Sequence, residues 1–286
     1  MSGGIVWLAS YPKSGNTWFR AFLTNLLQED SQEVSINHMK TDGIFSSRQI
    51  IDNITGVETS NLTADEIDRL RPTAYNHLAQ TAKNKLFIKV HDAYTYLEDG
   101  APLLGTVNAK AVYIMRNPLD VAVSFANHAS REFNDIIRNM SDESFAFCNN
   151  QKRLSNQLRQ KLLTWSLHVN SWTQATEIPV HIVKYEDMKL DPVQTFTAAV
   201  RFAGIDRSDE QIRQAIELSG FDRLKAEETQ NGFSEKPYKA PAFFRAGKVG
   251  DWRNHLSDEQ RDQLISDHEI TMRKFGYLDT HANLVY

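Results

Sequence analysis

A lysine, a glycine and two hydroxyl side chains stand close together near the start of the chain. Residues 11–17 read Tyr-Pro-Lys-Ser-Gly-Asn-Thr and follow directly on a short apolar run. A loop that follows a strand and opens a helix presents unpaired backbone N–H groups and the positive end of the helix dipole to an anion. Gly15 lets the backbone approach that anion, and Lys13 adds a mobile positive charge. Ser14 and Thr17 add hydroxyl groups, so the segment predicts a phosphate-binding loop.

The order of residues in this loop differs from the Walker pattern Gly-x-x-x-x-Gly-Lys-Ser/Thr. The chain has no Gly-Lys-Ser/Thr string, because Lys13 precedes Gly15 instead of following a glycine. The difference argues against ordinary ATP or GTP hydrolysis and leaves a variant loop open. Taken alone, the segment is also compatible with a tight turn that carries a surface lysine.

A second anion-binding candidate follows the apolar run 111–115. Asn117 can cap a helix whose first residue is Pro118. Arg116 offers a guanidinium fork that matches phosphate oxygens, and Ser124, about two helical turns further on, can donate a hydroxyl. The alternative is a capped helix with a surface arginine.

A histidine follows another apolar run. Residues 86–90 read Leu-Phe-Ile-Lys-Val and predict a strand, and His91 comes directly after it. An imidazole titrates near neutrality and can take a proton from a substrate hydroxyl. A lone histidine is more often structural or exposed, so the position alone leaves both interpretations open.

Short apolar runs alternate with longer amphipathic segments along the chain. The runs predict strands over 5–10, 86–90, 111–115 and 180–183. The amphipathic segments predict one helix directly after the phosphate loop and others over 118–128, 160–175, 192–204, 208–218 and 257–274. Strands that alternate with helices indicate an α/β fold with a central parallel sheet, helices on both of its faces and a P-loop-like strand-loop-helix at the start.

No internal repeat and no linker rich in Pro, Gly or Ser divides the chain, so we predict a single domain over 1–286. Two regions fit regular elements poorly. Residues 30–84 show weak periodicity, and residues 225–250 read as a long loop. Long loops in compact domains tend to be functional or disordered.

Composition excludes several classes of protein. The 286 residues include 15 Phe, 9 Tyr and 5 Trp, which argues against intrinsic disorder. With 13 Gly and 8 Pro the chain is neither collagen-like nor of low complexity. A net charge of −4 argues against a polycation that coats nucleic acid, so no nucleic-acid partner is expected.

The cysteine content bears on the compartment. Cys148 is the single cysteine, so neither a disulfide within the chain nor a zinc cluster is expected, and it is read as an ordinary packed or surface thiol. The first apolar run is too short for a secretory signal, and no stretch approaches the roughly 20 apolar residues of a membrane span. We therefore predict a cytoplasmic protein without a membrane partner.

The motifs together resemble those of sulfotransferases that use 3′-phosphoadenosine 5′-phosphosulfate (PAPS). Residues 11–18 are similar to the 5′-phosphosulfate loop of that family, usually Tyr-Pro-Lys-Ser-Gly-Thr-Thr-Trp, with Asn16 in place of a threonine. Further similar blocks follow in the family's order at 89–91, 113–124, 185–187, 218–221 and 244–255. The opening, 7–20, looks most like bacterial sulfotransferases of natural-product pathways, which include tailoring enzymes of glycopeptide antibiotics.

The resemblance implies a role for each matched residue. It implies catalytic roles for Lys13, Lys89 and His91, with His91 as general base and Lys13 on the bridging oxygen. It implies that PAPS and the product adenosine 3′,5′-bisphosphate (PAP) are bound by Lys13, Ser14, Gly15, Asn16, Thr17, Trp18, Arg116, Ser124, Tyr185, Ser219, Phe221, Arg245, Ala246 and Gly247. Ala246 stands where the family has lysine, and Lys248 is the candidate substitute. Phe221 is equally compatible with a core position.

Two other functions remain open at this stage. A variant P-loop kinase would need ATP, Mg²⁺ and an acidic ligand, for which Asp92 and Glu186-Asp187 are weak candidates. A non-catalytic PAP-binding protein would have no need of both Lys13 and His91. The favoured reaction needs no metal.

The acceptor is expected to be a small molecule with a phenol or alcohol hydroxyl. Its site is predicted to use insertions near 30–84, 129–160 and 225–245. Aromatic side chains could line an apolar pocket there, or could equally be core or lid residues: Phe45, Tyr94, Tyr96, Phe233, Tyr238, Phe243 and Phe244. The dimerisation motif of animal cytosolic sulfotransferases, Lys-x-x-x-Thr-Val-x-x-x-Glu, is not evident, so both a monomer and a homodimer remain open.

Overall fold

The computed structural model describes residues 3–28, 34–39, 41, 43–44, 46–150 and 153–286. The strands are β1 (Gly4–Ser10), β2 (Lys85–Val90), β3 (Ala109–Met115), β4 (Ala146–Phe147), β5 (Gln160–Lys161) and β6 (Val180–Lys184). Four of them form one sheet in the order β2-β1-β3-β6, and β4 pairs antiparallel with β5. β1 and β2 run parallel, with Gly4 opposite Lys85 and Ala9 opposite Val90.

Helices occupy most of the intervals between the strands. They are α1 (Asn16–Leu26), α2 (Arg48–Thr55), α3 (Ala64–Thr81), α4 (Pro118–Ala129), α5 (Phe133–Met140), α6 (Trp165–Thr173), α7 (Tyr185–Leu190), α8 (Pro192–Ala203), α9 (Asp209–Leu218), α10 (Phe221–Asn231) and α11 (Asp258–Lys274). Short 3-10 turns span Ile36–His38, Thr59–Asn61 and Asp251–Asn254. The predicted α/β class, with a parallel sheet flanked by helices, is confirmed. None of the described helices combines the length and the apolar character needed to cross a bilayer.

Local sequence explains why β1 is buried and why α1 and α4 begin where they do. β1 is apolar and buried along its whole length, as expected of a strand covered on both faces. Gly15 is the N-cap of α1 in the left-handed conformation. The Asn117 side chain accepts from the backbone N–H of Leu119, and Pro118 is the first residue of α4, which confirms the predicted cap.

The chain forms two compact units, each built from three segments. Unit 1 comprises Met1–Tyr11, Asp42–Tyr113 and Asp142–Ile182, and unit 2 comprises Pro12–Thr41, Ile114–Ser141 and Val183–Tyr286. In unit 1 the Trp7 ring packs edge-on against Tyr75, with ring centroids 5.3 Å apart. In unit 2 the Phe22 and Phe196 rings lie 4.2 Å apart. The single domain over 1–286 with acceptor-site insertions stays a prediction.

Three expectations about local structure are wrong. Residues 30–84 contain α2 and the long helix α3, whose buried face carries the charged Asp68 and Arg71 and so lacks a clear apolar period. Residues 225–231 belong to α10 and not to a loop. The helix lacks a clear apolar period, because one of its buried positions is occupied by the charged side chain of Glu228. The helix predicted from 160 begins at Trp165, after β5 and the Thr164 cap.

Candidate active site

Residues 12–17 of the predicted phosphate loop lie in unit 2, and Gly15 packs against the ring of Tyr185. Lys13 has a φ of 70° and Gly15 a φ of 103°, so the loop enters the left-handed region twice. A Cβ atom at Gly15 would stand 2.6 Å from Cδ2 of Tyr185, closer than van der Waals contact allows. Glycine is therefore required here both for its backbone angle and for the approach of Tyr185.

Two of the buried donors at or beside this loop matter for phosphate, because neither has a hydrogen-bond partner among the described residues. They are the hydroxyl of Ser14, which is fully buried, and the Nε–H of Arg116. A buried donor without an acceptor is costly, and such groups are rare in folded proteins. Phosphate oxygens would accept from both, so the residues present fit a phosphate group.

Arg116 connects the phosphate loop with a distant segment of unit 2. Its Nη2 donates to the carbonyl of Lys248 at 2.9 Å, and its Nη1 donates to the carbonyl of Lys13 at 3.4 Å. Its guanidinium carbon lies 4.1 Å from the ring centroid of Tyr185. Residue 248 thus reaches Arg116 through its backbone, while the Lys248 side chain is exposed.

Asp120 in the first turn of α4 anchors the same distant segment. Its carboxylate accepts from the N–H groups of Gly250 and Trp252 at 2.8 and 3.0 Å. Asp251, between them, pairs with Arg245. Sequence reasoning missed Asp120, although an acidic residue in the first turn of a helix after Asn-Pro is a readable signal. These contacts fix the backbone next to the predicted 3′-phosphate contacts.

Trp18 and Phe221, the aromatic residues expected at the adenine, both contact the ammonium group of Lys189. The Lys189 ammonium lies 4.8 Å from the ring centroid of Trp18 and 5.1 Å from that of Phe221. A Cβ atom at Gly247 would stand 2.4 Å from the Phe221 ring, so glycine is needed there. The buried Ser219 hydroxyl donates to a carbonyl of its own helix at 2.8 Å. Sequence reasoning missed Lys189, whose pKa is lowered by burial.

The remaining predicted nucleotide-binding residues lie in the same unit. Asn16 and Thr17 are buried in the first turn of α1, and Ala246 is half-buried beside Gly247. Ser124 is half-buried on α4, one turn before His128. All fourteen positions of the predicted PAPS site therefore belong to unit 2.

The predicted general base lies in unit 1 at the end of β2. Nδ1 of His91 is 2.8 Å from the carbonyl oxygen of Ser10 and 3.4 Å from its hydroxyl oxygen. A ring nitrogen that close to a carbonyl oxygen carries the proton and donates it. In that tautomer Nε2 holds the lone pair that a general base needs.

A buried histidine holds the backbone of His91. Nε2 of His168 lies 3.0 Å from the His91 carbonyl, and its Nδ1 lies 2.9 Å from the hydroxyl of Tyr113. Burial lowers the pKa of His168 to about 4, so the ring is neutral at pH 7. It then donates from Nε2 to His91 and accepts at Nδ1 from Tyr113. His168 was missed by sequence reasoning.

Asp92 and Lys89, close to His91 in the chain, are each held by hydrogen bonds within unit 1. Nη1 of Arg71 donates to Oδ1 of Asp92 at 3.0 Å, and Nη2 lies 3.0 Å from Oδ2. Lys89, on β2, is half-buried, and its N–H donates to the carbonyl of Gly43 at 3.1 Å. Glu186, another carboxylate considered as a metal ligand, is buried and accepts from a backbone N–H and a tyrosine hydroxyl. In the described part of the chain no three His, Cys, Asp or Glu residues are grouped to hold a metal ion.

Comparison with known proteins decides the family. Residues 5–276 match the sulfotransferase domain family. The chain belongs to this family. It is 28% identical over 273 residues to the flavonol 3-sulfotransferase of Flaveria bidentis, covering 91% of this chain and 78% of that protein. It is 26% identical over 271 residues to cytosolic sulfotransferase 1 of Arabidopsis thaliana, covering 90% of this chain and 75% of that one.

A solved structure shows the same fold. The retinol dehydratase complex with androsterone and the inactive cofactor PAP has a TM-score of 0.62 and 20% identity, over 94% of this chain and 80% of that one. The predicted family, the sulfotransferase activity and the use of PAPS are confirmed. The closer likeness to natural-product tailoring enzymes stays a prediction.

The sulfotransferase should lose stability in acid because of two buried histidines. Burial lowers the pKa of both His168 and His268 to about 4. The unfolded chain binds these protons near pH 6.5, so it holds more protons than the folded chain between pH 6.5 and 4. The contribution of the two neutral histidines to the free energy of unfolding is fully present above that window and is lost as the pH falls through it.

The measurement is urea unfolding at about pH 7 and about pH 5. In the His268→Gln variant the acid-induced loss should be smaller than in the wild type by about 2 kcal/mol. The quantity compared is the change in the free energy of unfolding between the two pH values, so a lower stability of the variant at pH 7 does not affect the result. An equal loss in both proteins would contradict the assignment.

Proposed function

We propose that this chain moves the sulfuryl group of PAPS to a hydroxyl of a small-molecule acceptor and releases PAP, with His91 as general base. The observation that carries the proposal is the pair of orphaned donors at the phosphate loop, the Ser14 hydroxyl and the Arg116 Nε–H. Both stand on residues that the family uses for phosphate. The tautomer of His91, with its proton towards Ser10, supports the assignment of the base.

In this reaction the acceptor hydroxyl gives its proton to Nε2 of His91 while its oxygen attacks sulfur. The bond between sulfur and the bridging oxygen breaks, and PAP leaves with the electron pair. Lys13 neutralises the charge that grows on the bridging oxygen. Lys89 stays a predicted catalytic residue, and its place on β2 brings it next to β1 through the pair with Leu8.

Donor binding divides between two sets of residues. The loop N–H groups, with Ser14, Asn16 and Thr17, hold the 5′-phosphate. Arg116, Ser124 and Arg245 hold the 3′-phosphate, which distinguishes PAPS from ATP. Trp18, Phe221 and Ser219 bind the adenine. The other donor-binding residues are Tyr185, Ala246 and Gly247.

The acceptor is proposed to be a phenol or a hydrophobic alcohol. The Flaveria bidentis relative is named for a flavonol, and the solved relative holds androsterone. Of the candidate aromatic residues, Phe233 and Phe244 are buried in a core cluster and Tyr238 is 99% exposed. Phe243 is half-buried and contacts Lys13, and Tyr94 is buried with a hydroxyl that lacks a described partner. Phe45 lies outside the described residues.

Calorimetry should show that PAP binds more tightly than ATP with Mg²⁺.

Arg116→Ala should raise the Kd for PAP and the KM for PAPS by about 10–100-fold, since a charge-assisted hydrogen bond is lost, while the KM for the acceptor changes little. Arg138→Ala, whose side chain is 71% exposed on α5, is the matched control. Equal effects of Arg116→Ala on both KM values would contradict the phosphate role.

A mass-spectrometric screen with PAPS identifies the acceptor class. The probes are quercetin as a flavonol, p-nitrophenol as a simple phenol and androsterone as an aliphatic alcohol. Sulfated product with release of PAP is the expected result. Tight binding of ATP without PAP binding would favour a variant kinase, and PAP binding without transfer would favour a non-catalytic binder.

A cytoplasmic location and the choice between monomer and homodimer stay predictions. Cys148 is exposed, which supports its interpretation as a surface thiol and a reducing compartment. Light scattering of the purified protein measures the oligomeric state.

A further inference from the structure

The ammonium group of Lys13 contacts the side chains of His128 and Phe243, which lie outside the phosphate loop. Nζ of Lys13 lies 3.2 Å from Nδ1 of His128 in the last turn of α4. The same Nζ lies 3.9 Å from the ring centroid of Phe243. The His128 and Phe243 rings meet edge to face with centroids 5.6 Å apart. We call Lys13, His128 and Phe243 the lysine clasp.

The two contacts of the clasp differ in what they constrain. A cation over an aromatic face is attracted without a strong directional preference. A hydrogen bond to a ring nitrogen requires that this nitrogen carries no proton and that the donor approaches along the direction of its lone pair. His128 therefore accepts from Lys13 at Nδ1 and limits the directions that the ammonium can take on its flexible four-carbon stem.

His128 stands on an element that is itself held in place. Asp120 ties the first turn of α4 to Gly250 and Trp252. After the last turn, the Ser130 hydroxyl donates to the carbonyl of Lys239 at 3.1 Å. Lys13, at the other side of the bond, has its backbone in the left-handed region. The ammonium is thus positioned between a constrained loop and a constrained helix.

We propose that His128 is a positioning residue that orients the Lys13 ammonium for the departure of the bridging oxygen. The inference rests on the proposed function, in which Lys13 acts on that oxygen. Pre-organised charge lowers the barrier because no reorientation is needed during the reaction. Loss of His128 should therefore lower kcat and leave the affinity for PAP nearly unchanged.

Asparagine and leucine have the same branched shape, so His128→Asn and His128→Leu differ in polarity and not in outline. The readout is PAP release from PAPS with quercetin as probe, which counts transfer and hydrolysis alike. We expect His128→Leu to lower kcat by about tenfold to a hundredfold, the value of a hydrogen bond to a charged group. His128→Asn, which keeps an acceptor oxygen, should recover a large part of that loss.

The control and the affinity measurement separate positioning from folding. His77→Leu, at an exposed position on α3, should leave kcat unchanged. The Kd for PAP by calorimetry should stay within about threefold in both His128 variants, as for substitutions away from a ligand. An equal fall in kcat for the Asn and Leu variants, or a parallel rise in Kd, would show a structural role and overturn the inference.

A double-mutant cycle tests whether His128 acts through Lys13. In the Lys13→Met background, His128→Leu should lower kcat no further, because the two residues act as one unit. An additive fall would mean that His128 acts independently and would overturn the proposal. A wild type that neither binds PAP nor consumes PAPS would instead refute the proposed function, which keeps the two failures distinct.

Discussion

Replacing His91 with alanine should lower the rate of PAP release from PAPS and an acceptor by about 10²–10⁴-fold, the usual value of a general base. The affinity for PAP should survive, because His91 is not among the predicted PAPS-binding residues. The substitution also removes the Nδ1 hydrogen bond to the carbonyl of Ser10. The hydrogen bond from His168 stays, because it goes to the backbone carbonyl of residue 91.

Two measurements check this expectation. Initial rates give kcat, and calorimetry gives the Kd for PAP. His77→Ala removes an exposed histidine from α3 and serves as the matched control. Full activity of His91→Ala would remove the assignment of the base, whereas a large rise in Kd would mean that His91 belongs to the donor site.

Replacing Asp92 with alanine should lower the free energy of unfolding by about 3–5 kcal/mol, because it leaves part of a buried ionic cluster uncompensated. The side chains of Arg71, Asp92 and Asp68 are at most 3% exposed. Arg71 also donates to the Tyr75 hydroxyl at 2.8 Å. The Arg71 guanidinium keeps Asp68 and Tyr75 but cannot reach water at that depth, so its desolvation cost is only partly offset.

Urea unfolding at pH 7 measures the effect, with Asp206→Ala at an exposed position as control. The paired replacement of Arg71 by methionine and Asp92 by leucine should recover much of the lost stability, because it removes the buried charges together. A loss below about 1 kcal/mol in Asp92→Ala would show that Asp68 alone compensates Arg71.

Much of the site follows from local sequence. The turn at Lys13 and Gly15, the cap at Asn117 and the histidine after β2 each depend on residues within a few positions of one another. Backbone conformation, capping and the burial of an apolar strand are local effects, so a short string of residues carries them. The family's motifs add the predicted phosphate-binding roles of Arg116 and Ser124 to what local sequence indicates.

Other elements could not be predicted because their buried faces carry charge. On α3, Asp68 and Arg71 occupy positions where a helix normally presents apolar residues to the core. On α10 the buried Glu228 accepts from the N–H groups of Phe243 and Phe244 at 2.7 and 2.8 Å. A search for apolar periodicity misses such helices, because each buried charge is stabilised by partners outside its own helix.

By itself, the sequence determined the α/β fold class, the phosphate loop and the residue types of a sulfotransferase site. Only the tertiary structure decided which partners those residues have: His128 for Lys13, Ser10 for His91 and the Lys248 carbonyl for Arg116. The physical reason is the distance along the chain. A cap or a turn depends on neighbouring residues, whereas a hydrogen bond across about a hundred residues exists only once strands and helices have packed.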